Sequence, residues 1–336
     1  MNIYRKYLHS ILLGTSLMAC SQKENGVNQN STITADNIAD EISKQVKHYP
    51  IEPMYVISHE GNYCYYEIFI DDIPVFKNFD NMVPEGFDIN KVIFKGGKHT
   101  LKYKLYPFGN KNKYKQDYPT LTDETSLNLK LGSYDLKNED SSDKTLMEYS
   151  LPTTKNEVTK EYIKQKFIGT GKTFYEGSID INVTVPYQTQ SAFENAQDLR
   201  KMDKKELEAK LLKKYKEVSS IYENKDQDNI AKLEYNTLKD LYVSNYDNKE
   251  TISKNINILF KEIYNNPTFK MQPIEKYKLE FFANGKLVAL MMDTTDNNLR
   301  GNTALWAKAN YDGGTRGIFL NRYFYIPEGK SEFMAY

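Results

Sequence analysis

The spacing of apolar residues changes near residue 190, and that change constrains the fold more than any single motif does. From Pro53 to Val185 the period is two. Cys64, Tyr66, Ile68 and Ile70 alternate with Tyr65, Glu67 and Phe69; Leu101, Tyr103 and Leu105 alternate with Lys102 and Lys104; Ile179, Ile181, Val183 and Val185 alternate with Asp180, Asn182 and Thr184. Such alternation is the pattern of half-buried antiparallel strands. Gly96-Gly97 marks a turn before the strand that begins near His99, and Pro74, Pro84 and Pro107 punctuate neighbouring segments. The expectation for residues 49–188 is an all-β sandwich, two sheets packed through their apolar faces.

Between Gln190 and Asn265 the period lengthens to that of a helix. Asp203 and Glu206 make a capping-box-like start, after which Leu207, Leu211, Tyr215, Val218 and Tyr222 line one stripe. A second helix carries Ile230, Leu233, Leu238 and Leu241, and a third carries Ile252, Ile256, Leu259, Phe260 and Ile263, ending at Asn265-Asn266-Pro267. Strands then return. Tyr277–Ala283, Asn284-Gly285 and Lys286–Met292 read as a hairpin, because Asn-Gly supplies the two positive φ values of a type I′ turn. That turn sets Phe281 opposite Val288, Leu279 opposite Leu290 and Tyr277 opposite Met292. Further strands are expected over Thr303–Tyr311 and Gly317–Ile326, separated by Asp312-Gly313-Gly314. The fold class is therefore an all-β sandwich followed by an α+β domain, residues 189–336, of three helices and an antiparallel meander.

The first twenty residues speak of address. Arg5 and Lys6 precede an apolar run, Ile11, Leu12, Leu13, Leu17 and Met18, too short for a permanent membrane span. The run ends in Leu17-Met18-Ala19-Cys20, which resembles the lipobox of bacterial lipoproteins, although Met18 is bulkier than is usual there. The resemblance implies cleavage after residue 19, a diacylglyceryl thioether on Cys20 and acylation of the new amine. Several acyl chains hold a domain on a membrane where one chain binds marginally. With Ser21 in place of a retention aspartate, the resemblance implies a lipid-anchored envelope protein at the outer membrane. Residues 20–48 are expected to be the lipidated cysteine and a polar tether, since Ser21 to Asp36 is rich in Asn, Ser, Gln and Thr.

The chain balances 45 Lys and Arg against 45 Asp and Glu, and loss of residues 1–19 removes Arg5 and Lys6 but no acid. A near-neutral chain lacks the basic surface of a nucleic-acid binder. With Cys20 acylated only Cys64 remains, which excludes an intramolecular disulfide.

Two segments resemble known folds. The run Tyr66–Tyr106, with IFIDDIPVF and FDINKVIFKGGKHTLKYKLY, is similar to galactose-binding-like jelly-roll sandwiches in its turn chemistry and alternation. That resemblance implies a fold more than a ligand. Three helices and then strands resemble, in outline, the cone-shaped folds similar to nuclear transport factor 2. In that outline Phe281, Met291, Trp306 and Phe319 line a pocket or interface; as ordinary large apolar residues they simply fill a core.

Motifs of chemistry are sparse. Gly169-Thr170-Gly171-Lys172-Thr173 lacks the upstream glycine of a phosphate-binding loop, having Lys166 there, and leads into a strand rather than a helix. Asp293–Asn298 and Glu139–Asp143 are oxygen-rich but have neither the glycine nor the distal glutamate of a calcium loop. After the signal only His48, His59 and His99 remain, His99 being expected at the solvent, and no HExxH or Gly-x-Ser-x-Gly is present. The lysines of the first helix, Lys204, Lys205, Lys210, Lys213 and Lys214, are interspersed with Glu206, Glu208 and Glu217 and read as a solvated face. No catalytic, metal or cofactor residue is assigned. The expected function is a non-catalytic, membrane-anchored envelope lipoprotein that recognises another macromolecule, a protein partner of the immunity or adaptor type. A glycan-binding accessory lipoprotein is the first alternative, and an enzyme with a dispersed site in the C-terminal domain the second.

Overall fold

The structure, a computed structural model, describes residues 27–79, 85–110, 112, 116–138, 144–155 and 165–336. Its first half is built of β1 (Pro53–Asn62), β2 (Tyr65–Ile70), β3 (Ile73–Asn78), β4 (Gly86–Asp88), β5 (Gly97–Tyr106), β6 (Ser126–Asp135), β7 (Lys144–Ser150), β8 (Thr153–Lys155), β9 (Gln165–Phe167) and β10 (Tyr175–Val183). Two four-stranded antiparallel sheets, β4-β1-β6-β7 and β10-β5-β2-β3, carry most of it, with β8 and β9 forming a small hairpin. The alternation read from the sequence is the burial pattern of β5, where Leu101, Tyr103 and Leu105 are buried and Thr100, Lys102 and Lys104 are not. Ile57, Leu127, Leu129 and Leu131 of the first sheet share one core with Tyr66, Ile68, Leu101 and Leu105 of the second.

The second half holds α2 (Lys204–Glu223), α3 (Gln227–Ser244) and α4 (Lys249–Asn257), and a short α1 (Ile38–Ser43) precedes the sheets. Asp203 caps α2, its carboxylate accepting from the backbone N–H groups of Lys205 and Glu206 at 3.0 and 2.9 Å. The stripe Leu207, Leu211, Tyr215, Val218 and Tyr222 is fully buried. After α4 the chain continues as π-helical turns, Ile258–Tyr264, which bury Phe260 and Tyr264. Tyr264 and Tyr222 each donate a hydrogen bond of 2.6 Å to Glu234 Oε1, and the same oxygen pairs with the Arg322 guanidinium. Both partners of that ion pair are about 4 % exposed, so deletion of either would strand a buried charge.

The stretch expected as a tether is corrected from Val27 onward. Val27, Ile33, Ile38 and Ile42 belong to the helical core. The amides read as solvating instead satisfy backbone: Gln29 accepts from the Ala335 N–H at 2.7 Å and donates to the Ala335 carbonyl at 3.1 Å, and Asn30 donates to the Lys232 carbonyl at 2.9 Å. Composition averaged over the segment hides this, because a few well-spaced apolar anchors suffice when the amides between them replace water at buried backbone groups.

The C-terminal strands are β11 (Lys270–Met271), β12 (Tyr277–Phe282), β13 (Leu287–Met292), β14 (Trp306–Tyr311), β15 (Gly314–Phe319), β16 (Phe324–Tyr325) and β17 (Met334–Ala335). The hairpin register is as read, with Tyr277 opposite Met292, Leu279 opposite Leu290 and Phe281 opposite Val288. Asn284 and Gly285 hold φ of 56° and 88°, and Lys286 N–H closes on the Ala283 carbonyl at 3.2 Å. The single meander is not formed. After β13 the chain leaves for a separate sheet, β11-β14-β15, and returns only as β16 and β17, giving the order β12-β13-β16-β17.

Residue 189 marks a change of secondary structure but not a boundary of packing. Phe282, Ala283, Leu287, Ala289 and Met291 join the same core as the two large sheets. Phe69 of β2 stacks on Phe282 with ring centroids 6.5 Å apart, and Asp72 accepts from the N–H groups of Ala283 and Asn284, each at 3.0 Å. This covering explains why β2 is buried on both faces where the sequence pattern indicated one.

Candidate functional site

A cleft of about 390 Å³ opens along the seam where β2 and β5 meet β12, β13 and the 293–301 loop. Its polar lining comes from separate parts of the chain: Glu67 from β2, Tyr106 from the end of β5, Lys278 and Glu280 from β12, and Arg300 from the loop. Antiparallel pairing of β2 with β5 sets Tyr65 opposite Tyr106. The Tyr106 hydroxyl donates to Glu67 Oε2 at 2.7 Å. Burial and the neighbouring Glu67 carboxylate raise the Tyr106 phenol far above its ordinary value, so it stays a donor. Glu280 is held by Lys278 at 2.7 Å.

Arg300 is placed by a closed turn. The Asp296 carbonyl accepts the N–H groups of Leu299 and Arg300 at 3.0 and 2.9 Å, while the Asp296 carboxylate accepts from the Asn298 N–H at 3.0 Å. Asn297 ties the turn to the sheet by donating to the Tyr65 hydroxyl at 2.8 Å. Gly301, at φ +67°, then presses on the sheet: a Cβ there would lie 2.7 Å from the Phe79 ring and 2.9 Å from Lys77 Cδ. The result is a guanidinium seated on three aromatic rings, 4.2 Å from the Phe79 centroid, 5.1 Å from Tyr106 and 5.8 Å from Tyr65. Burial lowers the Arg300 pKa, but a guanidinium remains charged at any physiological pH. Among the described residues its nitrogens have no hydrogen-bond or ion-pair partner within the ordinary limits. Behind Gly301, Lys77 donates to Asn302 Oδ1, and burial pushes its ammonium down to about 8.

The four apolar residues expected to share a pocket are not brought together. Met291 lines this cleft. Phe281 packs on the helical core, and Trp306 stacks on Phe319 across the β14–β15 pair, ring centroids 5.6 Å apart at 14°. No pattern in the sequence marked Arg300. An arginine in a polar turn reads as solvent, and its three rings come from residues 65, 79 and 106.

Other candidates resolve structurally. Gly169–Lys172 is a turn bonded to Leu121 in both directions and leads into β10 without a helix. Asp293–Asn298 forms the cleft's loop, Glu139–Asp143 and Cys20 lie outside the described residues, and no His, Cys, Asp and Glu grouping among the described residues has metal-site geometry. His99 corrects its expectation of exposure: it is 6 % exposed, with Nδ1 2.6 Å from Asp71 Oδ2 and Nε2 3.0 Å from the Lys95 carbonyl. Both nitrogens face acceptors, which favours the imidazolium, and the Asp71 hydrogen bond raises its pKa against the effect of burial. Cys64 is a free, buried thiol pushed up to about 12 by burial, which makes it unreactive. No helix among the described residues is long and apolar enough to cross a membrane. No protein-family model matches the chain, and neither the curated proteins nor the solved structures contain a significant match to it.

Proposed function

We propose that this chain is a lipid-anchored protein of the bacterial envelope, non-catalytic, that recognises a protein partner in the manner of an immunity or adaptor protein, through the Arg300 cleft. In this reading Cys20 carries the anchor, the two four-stranded sheets are the layers of a sandwich, and β12, β13 and the 293–301 loop close the cleft from its other side. The observation that carries it is the stacked guanidinium of Arg300, which feels the Glu67 carboxylate but has no hydrogen-bond or ion-pair partner among the described residues. Ring contacts hold the side chain in one place before a partner arrives, so little rotamer entropy is lost on binding. Its donors match a carboxylate or backbone carbonyl of an inserted segment, and Arg and Tyr are the residues that most often dominate protein interfaces. Sugar stacking is less well served, because the ring faces of Tyr65, Phe79 and Tyr106 are turned to the guanidinium. The Glu67 and Glu280 carboxylates are likewise held by Tyr106 and Lys278, an arrangement that favours recognition over acid–base chemistry.

The test uses the full acylated chain produced in a bacterial envelope, with Arg300→Ala and Cys20→Ala beside it. The wild-type chain is expected in the membrane fraction with one envelope protein bound stoichiometrically. Arg300→Ala is expected to stay in the membrane but lose that partner at least tenfold, about 1.4 kcal/mol or more. Cys20→Ala is expected in the soluble fraction. A partner retained undiminished by Arg300→Ala overturns the role of the cleft; an unmodified Cys20 by mass spectrometry overturns the anchor.

A further inference from the structure

A second cavity, of about 500 Å³, lies on the opposite side of Gly301 and Glu67, between β3, α3 and the 320–323 segment. Its walls are apolar, with Ile73 and Val75 from β3, Leu241 from α3, and Leu320 and Tyr323 from the C-terminal segment. Its charged lining is unlike that of the cleft. Lys77, Lys91 and Arg322 face a single carboxylate in the lining, Glu67. Glu234 pairs with Arg322 and the Asp88 carboxylate acts on Lys91, so these charges are close to balanced, while Lys77 has no ion-pair partner among the described residues.

Two buried polar atoms on lining residues are left without hydrogen bonds. Arg322, 4 % exposed, places Nη2 on Glu234 and on the Tyr222 hydroxyl at 3.2 Å, while its Nε has no partner. One turn before Leu241 on α3, the Thr237 hydroxyl is buried and equally unpartnered. A buried donor left unmade costs about 1–3 kcal/mol, and these two belong to different walls of the cavity, α3 and the 320–323 segment. An apolar chamber that also carries cationic side chains in its lining suits an amphiphile with an anionic head.

We infer that this cavity binds an aliphatic carboxylate, the chain lying along Val75, Leu241 and Leu320 and the head meeting Lys77, Arg322 and the Thr237 hydroxyl. The inference concerns a site separate from the Arg300 cleft and stands without it. Burial of Lys77 accords with it, since an ammonium that has lost water gains most from an arriving anion.

The experiment is calorimetric titration of the chain from Ser21 with decanoate, with 1-decanol as a probe of the same chain length without charge, and with acetate as a head without a chain. Decanoate is expected to bind saturably at one site, with decanol and acetate each at least tenfold weaker. Val75→Trp, which fills the chamber from a half-buried position on β3, is expected to abolish binding, and Lys77→Met to weaken it about tenfold. Thermal unfolding by circular dichroism identifies any variant that has lost its fold, and the two variants act from opposite properties, volume and charge. Absence of saturable heat with wild type, as from a chamber holding only water, overturns the inference. So does equal binding of decanol, or decanoate binding unchanged in both variants.

Discussion

Asp240 lies on α3 with its side chain about 3 % exposed, Lys239 3.3 Å from Oδ1, and Oδ2 without a hydrogen-bond partner. Burial raises its carboxyl to about 6, with Lys239 and the Tyr336 phenol opposing the rise. The folded chain therefore binds this proton more tightly than the unfolded chain does. Stability contributed at Asp240 is greatest below the unfolded carboxyl range and is lost as pH rises through about 6. A shift of roughly two units corresponds to about 3 kcal/mol as an order of magnitude. Asp240→Asn is expected to stabilise the protein at pH 7 by about 1–3 kcal/mol and to flatten the fall in stability between about pH 4 and 6, read by urea unfolding across pH. His99 has the opposite linkage to an ordinary paired carboxylate as well. Its raised pKa contributes stability below the unfolded imidazole value that is lost as pH rises through the folded one. Neither residue was legible as buried: Lys239 lies beside Asp240 in sequence, but the Tyr336 that packs on it and the Asp71 that pairs with His99 are distant, and local polarity says nothing of distant cover.

The elements themselves were largely legible, for reasons that lie within a few residues. The stripe of α2 needs only helical geometry, and its cap needs only Asp203 placed before Lys204. Asp203→Ala leaves two N–H groups of the first turn without their acceptor and is expected to cost about 1 kcal/mol, measured by chemical denaturation with unchanged m-value. The β12–β13 register was legible because Asn284-Gly285 dictates it locally. The path of the chain after β13 was not, because the decision to leave the sheet is made by long-range packing: Trp306–Tyr311 pairs with β11 and β15, while Phe324 returns to Val288. The Arg300 cleft belongs to the same class, its rings and carboxylates being contributed by four separate stretches of chain.

At the scale of the whole molecule, two cores meet on one set of strands. Val288 and Leu290 of β13 face the helices while Leu287, Ala289 and Met291 face the large sheets, so β13 is buried throughout. Residues 189–336 produced alone would expose that second face together with Phe282, and are expected to lack a cooperative thermal transition that the chain from Ser21 shows. A sharp transition and dispersed amide spectrum from the isolated half would contradict this.

The docking of Val27 sets a distance. Its N–H is held by Asn229 Oδ1 at 3.2 Å at the start of α3, and only residues 21–26 separate it from Cys20. Seven residue steps reach at most about 25 Å even when fully extended. Were Cys20 acylated as proposed, the folded body would be leashed within about its own radius of the bilayer. Encounter with the proposed partner would then be confined to a thin layer above the membrane, where a second membrane-bound molecule would meet it at a far higher effective concentration than one free in the surrounding volume.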